Sequence, residues 1–340
     1  MTGQVAKPKV YIDYIAYARA VGIPVSFDDN GTIDGEYDNI FTQNPSNISL
    51  IDYLPNPYSM CWFSCRFTND SDHNNEIMKL LSSVNFVAAM GHSFNDLGLG
   101  SSSLFGFNED GLPSSLDLLT TTLYGADKDG FTLWGADTSD RDFSITGHQG
   151  LLFTIFNADN ATPIRLGSLF IGRSFSFPHN ANLSMNIDYN TDNIKKSKTL
   201  GGYEVVDVNY SRQPDWDGRP PFASTNASNL TTHIGRRSWA LTFSYLKAEN
   251  TFPSDMGENF MFDNVFNEDG SYSDSWGLHD TNNITSHFMT LTMNGSLPFI
   301  FQPDDTKDTF AMCRLRSNSF SVTQSAPNLY TCKMTFDETW

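Results

Sequence analysis

The hydrophobic and polar positions are most regular in the C-terminal stretch that begins near residue 281. Ile284, Phe288 and Leu291 recur at i, i+4 and i+7, which predicts a helix near 283–293 with one apolar stripe. Asn282 or Asn283 supplies its N-cap, and Asn294-Gly295 a left-handed stop. Leu297-Pro298-Phe299-Ile300-Phe301 then reads as a buried strand, Pro303-Asp304-Asp305 as a turn, and Phe310–Leu315 as a second strand. The final strand alternates cleanly, with Tyr330, Cys332, Met334 and Phe336 on one face and Thr331, Lys333 and Thr335 on the other.

Upstream the pattern divides the chain in three. Residues 8–22 hold Val10, Tyr11, Tyr14, Ile15, Tyr17 and Ala18, a short helix or docking arm that ends at Gly22. From Phe27 to Leu54 the sequence is rich in Asp, Asn and Gly and poor in alternation, so residues 1–57 are expected to form an extended N-terminal arm. Such an arm would be ordered by a neighbouring subunit or partner and be dispensable for folding of the core. Pro55-Asn56-Pro57 marks a boundary.

Beyond it, strands are predicted at Met60–Phe67, Phe86–Gly91, Phe131–Trp134, Phe143–Ile145, Leu151–Phe156 and Ile164–Ile171. A short helix capped by Asn74 or Asn75, with Ile77, Met78, Leu80 and Leu81, interrupts the first pair, and Gly98–Gly106 reads as an exposed loop or strand-edge ribbon. Short strands at this density imply a jelly-roll-like antiparallel β-sandwich over 58–177. Pro178-His179-Asn180 is the second boundary. After it come strands at Leu183–Tyr189 and Tyr203–Tyr210, and an alternating run over Arg236–Tyr245 with Trp239, Leu241, Phe243 and Tyr245 on one face. Residues 178–340 are thus expected to be a second β domain, a barrel or sandwich, carrying the helix near 283–293. The fold class is mainly β.

Composition agrees with that reading. The 340 residues exceed one average domain, and 27 phenylalanines among Gly, Asn, Ser and Thr punctuation suit sandwiches and barrels. No apolar run approaches the roughly 20 residues that cross a bilayer, so no membrane insertion is expected. Lys7 and Lys9 are followed by no apolar core with a small-residue cleavage site, so no secretory leader is expected. A net charge of −18 argues against a nucleic-acid partner, which would demand clustered Lys and Arg. The one dense basic run, Lys195-Lys196-Ser197-Lys198, reads as a solvated turn.

Candidate chemistry is sparse. Cys61 and Cys65 sit four apart on a predicted strand, and Cys313 and Cys332 fall on predicted neighbouring strands; all four read as buried free thiols of a protein folded in a reducing cytoplasm. Asp28-Asp29-Asn30-Gly31 with Asp34 and Glu36 fails the calcium-loop template, because the ligands do not alternate and no Glu closes the loop. Asp127-Lys128-Asp129-Gly130 has only half of such a pattern. His279 and His287, eight apart, form no ligand pair on one helical turn. Nucleophile-elbow, zinc-protease, P-loop and dinucleotide motifs are lacking. No catalytic, cofactor-binding or metal-ligating residue is therefore assigned, and no cofactor is expected. Trp134, Trp216 and Trp276 lie in loop or strand-end contexts where an indole could stack on a sugar ring.

Several stretches carry a resemblance. They are Gly167–His179, Lys198-Thr199-Leu200-Gly201-Gly202, Arg236-Arg237-Ser238-Trp239, Gly295–Asp304, Phe310–Arg314, Ser325–Tyr330 and Glu338-Thr339-Trp340. Together they resemble tail-associated structural proteins of marine tailed bacteriophages. Asn85–Phe94 is similar to a strand motif of the jelly-roll module that often precedes that part. The resemblance covers about half the chain and is strongest from 167 onward; residues 1–57 take no part in it. It implies a virion protein made in the host bacterial cytoplasm, a homo-oligomeric ring in the tail or tail tip that joins neighbouring tail components. A distal-tail protein and an adaptor are both compatible with it. Such proteins assemble through extended sheets and broad interfaces and carry no active site. The alternatives are a carbohydrate- or receptor-binding module of the tail tip and, less well supported, an envelope polysaccharide hydrolase, which would usually need a long repetitive β-helix.

Overall fold

The computed structural model describes residues 7–29, 33–34, 37–44, 47–51, 60–67, 84–93, 101–108, 121–124, 130–135, 148–156, 164–182, 186–190, 194–208, 236–252, 283–307, 310–317 and 319–339. The expected strand Phe143–Ile145, the expected helix around Ile77–Leu81, the Asp127 run, Trp216, Trp276 and His279 lie outside them.

Twenty strands are described. The first five are β1 (Lys9–Asp13), β2 (Val25–Asp29), β3 (Ile33–Asp34), β4 (Ser49–Ile51) and β5 (Met60–Phe67). Then come β6 (Phe86–Met90), β7 (Ser101–Asn108), β8 (Thr121–Tyr124), β9 (Phe131–Gly135), β10 (His148–Phe156), β11 (Ile164–Leu166) and β12 (Ser168–Ser176). The remainder are β13 (Asn186–Asn190), β14 (Ile194–Lys198), β15 (Glu204–Val208), β16 (Arg236–Lys247), β17 (Phe299–Gln302), β18 (Ala311–Leu315), β19 (Ser321–Ala326) and β20 (Leu329–Glu338). Among the described residues helix is scarce: α1 (Tyr14–Val21), a 3₁₀ turn at Tyr37–Phe41, the single turn α2 (Ala248–Thr251) and a π-helix at Ile284–Met289. The fold is mainly β, as expected.

One antiparallel sheet organises the molecule, in the order β13-β16-β20-β18-β17-β1-β12-β6-β9-β8, with β19 paired to β20. Smaller sheets run β2-β5-β10-β7 and β11-β4-β3, and β14 pairs with β15. The central strands are apolar on both faces. On one side Val10, Ile12, Val87, Ala89, Leu169, Ile171, Phe299 and Phe301 enter one core. On the other, Tyr11, Phe86, Ala88, Met90, Phe170 and Ile300 enter a second. Burial on both faces explains why Leu297–Phe301 reads as a continuous apolar run rather than an alternating one.

The N-terminal segment departs from expectation. The strand β1 lies in the interior of the main sheet, pairing with β12 from Lys9↔Ser176 to Asp13↔Gly172 and with β17 from Lys9↔Gln302 to Tyr11↔Ile300. The chain then turns directly into α1, whose Tyr14, Ile15, Ala16, Tyr17 and Ala18 are all buried. Residues 10–18 are thus core and not a peripheral arm. Five residues of strand followed at once by eight of helix leave too short a repeat of either kind for its period to show. Gly22 ends α1 in the left-handed conformation (φ 87°), where a residue without Cβ bears no penalty.

Close approach of β1 and β12 imposes its own requirement. A Cβ on Gly172 would fall on the backbone carbonyl oxygen of Ile12. Neither strand can yield, because each is paired on both edges. Gly172→Ala should therefore destabilise the protein by about 3 kcal/mol, the upper end of overpacking costs, read as a lower midpoint in urea unfolding. An unchanged midpoint would place β1 elsewhere.

The stretch expected as an exposed loop or strand-edge ribbon, Gly98–Gly106, holds the edge strand β7 from Ser101 onward. Two further differences have local causes. The expected strand Ile164–Ile171 is broken at Gly167: β11 pairs with β4, whereas β12 joins the main sheet. In β16 the alternation holds for Trp239, Leu241 and Phe243, all buried, and then fails at Tyr245, which is 79% exposed. A bulge shifts the register between Phe243 and Leu246, Tyr245 takes φ 63°, and Leu246 fills the core in its place.

The C-terminal helix is present with its predicted cap and stripe. The Asn283 side chain accepts from the Ser286 backbone N–H at 2.8 Å, and Ile284, Phe288 and Leu291 are buried. It is wound as a π-helix over Ile284–Met289 and closes through Asn294 and Gly295, both at positive φ. The expected neighbours Cys313 and Cys332 lie on paired strands and are free, buried thiols. Burial pushes the Cys332 thiol up to about 12. Two stretches of the resemblance, far apart in sequence, meet here. Arg237 donates to Glu338 through Nε (3.0 Å) and Nη2 (2.7 Å), with its own backbone N–H adding a third bond at 2.8 Å. Its guanidinium also lies 5.0 Å from the Trp239 ring.

Candidate functional site

The N-terminal lead into the sheet builds a surface recess. Pro8 accepts from the Phe177 backbone N–H (3.1 Å), the Lys7 carbonyl accepts from Asp305 N–H (3.3 Å), and Lys7 N–H donates to Asn180 Oδ1 (2.7 Å). These bonds bring together the chain ahead of β1, the end of β12 and the turn after β17. Between them lies a cleft of about 560 Å³ lined by Lys7, Pro8, Ser176, Phe177, Pro178, His179, Asn180 and Asp305.

The expected boundary Pro178-His179-Asn180 is therefore one wall of a recess. His179 Nδ1 is 2.8 Å from the Asn180 carbonyl, which holds the ring in place. The turn beneath is tied by Asp304, which accepts from Thr306 N–H (3.1 Å) and Oγ1 (2.6 Å) and pairs with Lys307 at 2.7 Å. The Lys307 contact, with the Thr306 bonds, holds the Asp304 carboxyl below the usual range. Below the cleft, Tyr11 Oη donates to Gln302 Oε1 at 2.8 Å, and Gln302 Nε2 donates to the Lys307 carbonyl at 3.0 Å. The lining includes the basic side chain of Lys7 and the carboxylate of Asp305. It presents no hydrogen-bonded nucleophile and base.

Two buried titratable groups escaped the sequence reading. Asp13, 2% exposed, ends β1 and caps α1 by accepting from Ile15 N–H at 3.1 Å, and it also accepts from Ile171 N–H (3.4 Å) and Gln43 Nε2 (3.3 Å). Burial pushes its carboxyl up to about 7 against the pull of these bonds. His92, 1% exposed, follows β6 with Nε2 2.9 Å from Thr132 Oγ1, and burial pushes its imidazole down to about 3. An Asp directly before an apolar helical run is a capping signal, so Asp13 was legible in principle. His92 offered no comparable signal.

Of the other candidates, Trp134 is on β9 and 7% exposed, which withdraws it from sugar stacking. His287 is buried in the π-helix and stacks on Phe175 at 5.6 Å between centroids. Asp28 and Asp29 belong to β2. Among the described residues, no three His, Cys, Asp or Glu are grouped to hold a metal ion, and no helix is long and apolar enough to cross a membrane.

No family model matches the chain. No curated protein matches it either. Among solved structures, a mutant of the lectin binding domain of Lectinolysin complexed with Lewis b aligns at 12% identity over 48% of this chain and 98% of that chain, with a TM-score of 0.26. A score that low assigns neither fold nor function.

The two buried groups act on stability in opposite senses. Asp13, with its pKa raised in the folded state, favours folding fully below about 4 and loses that contribution as pH rises through 7. His92, with its pKa lowered, penalises folding as pH falls from 6.5 towards 3. Between pH 4 and 6.5 the two slopes offset each other. Asp13→Asn keeps the capping oxygen and removes one titration. Its stability should therefore climb with pH, relative to the parent, by about 1.4 kcal/mol per unit across that window. Urea unfolding at pH 4.5 and 6.5 measures this; parallel profiles would contradict a buried, ionising Asp13.

Proposed function

We propose that this protein is a structural component of a tailed-phage virion. In this reading it acts by binding rather than catalysis, assembles as a homo-oligomeric ring in the tail or tail tip, and joins neighbouring tail proteins. It would be made in the host bacterial cytoplasm. One observation carries the assembly part: a two-stranded ribbon, β14–β15, leaves Leu200, Tyr203, Val205 and Val206 exposed, whereas the other large apolar side chains among the described residues are mostly buried. Exposed apolar clusters on a soluble chain mark interaction surfaces. The phage part is supported by the resemblance, whose stretches 167–179, 236–239 and 295–304 fall on the main sheet and its connections.

The glycan-binding alternative loses Trp134 as a stacking platform and would have to rest on the exposed rings of Tyr203 and Tyr245. Immunogold labelling of virions, with negative-stain images of the purified protein, tests the proposal. Ring-shaped particles and label on tails are expected. A strictly monomeric protein absent from virions would refute it.

A further inference from the structure

Among the described residues the strands of the ribbon β14–β15 pair only with each other. Its strands pair Lys196↔Val206, Ser197↔Val205 and Lys198↔Glu204, and the turn is closed by Thr199, whose N–H donates to the Tyr203 carbonyl at 2.9 Å. Every residue from 196 to 206 is exposed. Among the described residues eight large apolar side chains are exposed, and four of them, Leu200, Tyr203, Val205 and Val206, belong to this one element. Two-stranded ribbons are at best marginally stable alone in water. A ribbon with apolar residues on both faces gains most from a surface that covers it.

Its charge says what kind of surface. Lys195, Lys196 and Lys198 place three of the chain's 21 basic residues in a strand of five, on a molecule of net charge −18. Glu204 and Asp207 on β15 offset two of these three charges, so all three positive charges lie on β14 and the ribbon as a whole keeps one of them; Lys196 and Glu204 form an exposed pair at 3.9 Å that contributes little. A basic strand on an acidic body is complementary to another copy of the same body. The same net charge repels polyanions and so disfavours nucleic acid.

We propose that the β14–β15 ribbon docks on the acidic surface of a second copy of this chain. The apolar side chains of Leu200, Tyr203 and Val206 are buried in the contact, and Lys196 and Lys198 steer it. The contact is heterologous, ribbon to body, and such contacts close into rings or run on as filaments. The proposal rests on the assembly reading above and names the surface responsible.

Sedimentation velocity of the full chain tests it across protein and salt concentration, with two variants. One is Leu200→Ser/Tyr203→Ser/Val206→Ser; the other is Lys196→Glu/Lys198→Glu. Because all five positions are exposed, both variants should melt as the parent monomer does. The parent should form oligomers that weaken as salt rises. Each variant should raise the dissociation constant by about 100-fold or more. Variants that assemble like the parent would overturn the ribbon as the contact and leave the assembly reading standing. A parent that stays monomeric at every concentration would overturn both. If one variant fails to fold, the other still decides.

Discussion

Deleting residues 1–22 should abolish folding. That segment contributes β1, which separates β12 from β17 inside the main sheet, and α1, which packs behind it. Six large side chains, Val10, Tyr11, Ile12, Tyr14, Ile15 and Tyr17, are each at most 4% exposed. Removing a buried side chain of this size forfeits roughly 1.5–3 kcal/mol, so the loss is on the order of 10 kcal/mol. Domains are stable by only about 5–15 kcal/mol. The deletion also opens the facing edges of β12 and β17, whose unpaired backbone groups invite aggregation. Insoluble protein, or soluble protein with no cooperative melt, is the expected result. A truncated chain that melts like the parent would show that β1 is not part of the sheet. An arm concerned only with assembly predicts that opposite outcome, so one melting curve separates the two.

Phe288→Ala should be the most damaging single truncation. Phe288 is fully buried and forms edge-on or tilted contacts with Phe299 (5.1 Å between centroids), Phe336 (5.7 Å) and Phe177 (5.9 Å). It therefore joins the π-helix to β17, to β20 and to the segment that follows β12. Losing the ring removes its transfer free energy and leaves a cavity between rigid strands, at a cost of about 3–5 kcal/mol. Phe288→Leu refills part of that space and should cost markedly less. Urea unfolding monitored by tryptophan fluorescence gives both values. Equal midpoints for Phe288→Ala and the parent would mean that the helix is not packed on the sheet.

Local signals carried the C-terminal part of this structure. The Asn283 cap, the Ile284/Phe288/Leu291 stripe, the Asn294-Gly295 stop and the alternation of Tyr330 to Phe336 each depend on residues a few positions apart. A capping bond, a helical face and a pleat are local in that sense, so the sequence alone determined them. It also determined the mainly β class, through the density of short apolar runs between turn residues. The candidate cleft was legible only as punctuation, since Pro178-His179-Asn180 announces a turn and says nothing of what lies across from it.

Tertiary structure alone decided the rest. The partners of β1 are β12 and β17, well over a hundred residues away, and nothing within Lys9–Asp13 encodes which strands flank it. The same non-local pairing buries Asp13 at the seam of three segments and sets its pKa. The bulge that turns Tyr245 outward and Leu246 inward follows from the register of β16 against β20. Lys195 to Lys198 read as a solvated turn because charge implies exposure. That it is a strand, paired to a segment bearing exposed Tyr203, Val205 and Val206, emerges only when the hairpin closes. Sequence patterns report what each residue prefers to face. Which segment it faces is settled by long-range strand pairing, where the entropy of closing long loops is offset by contacts that no short window contains.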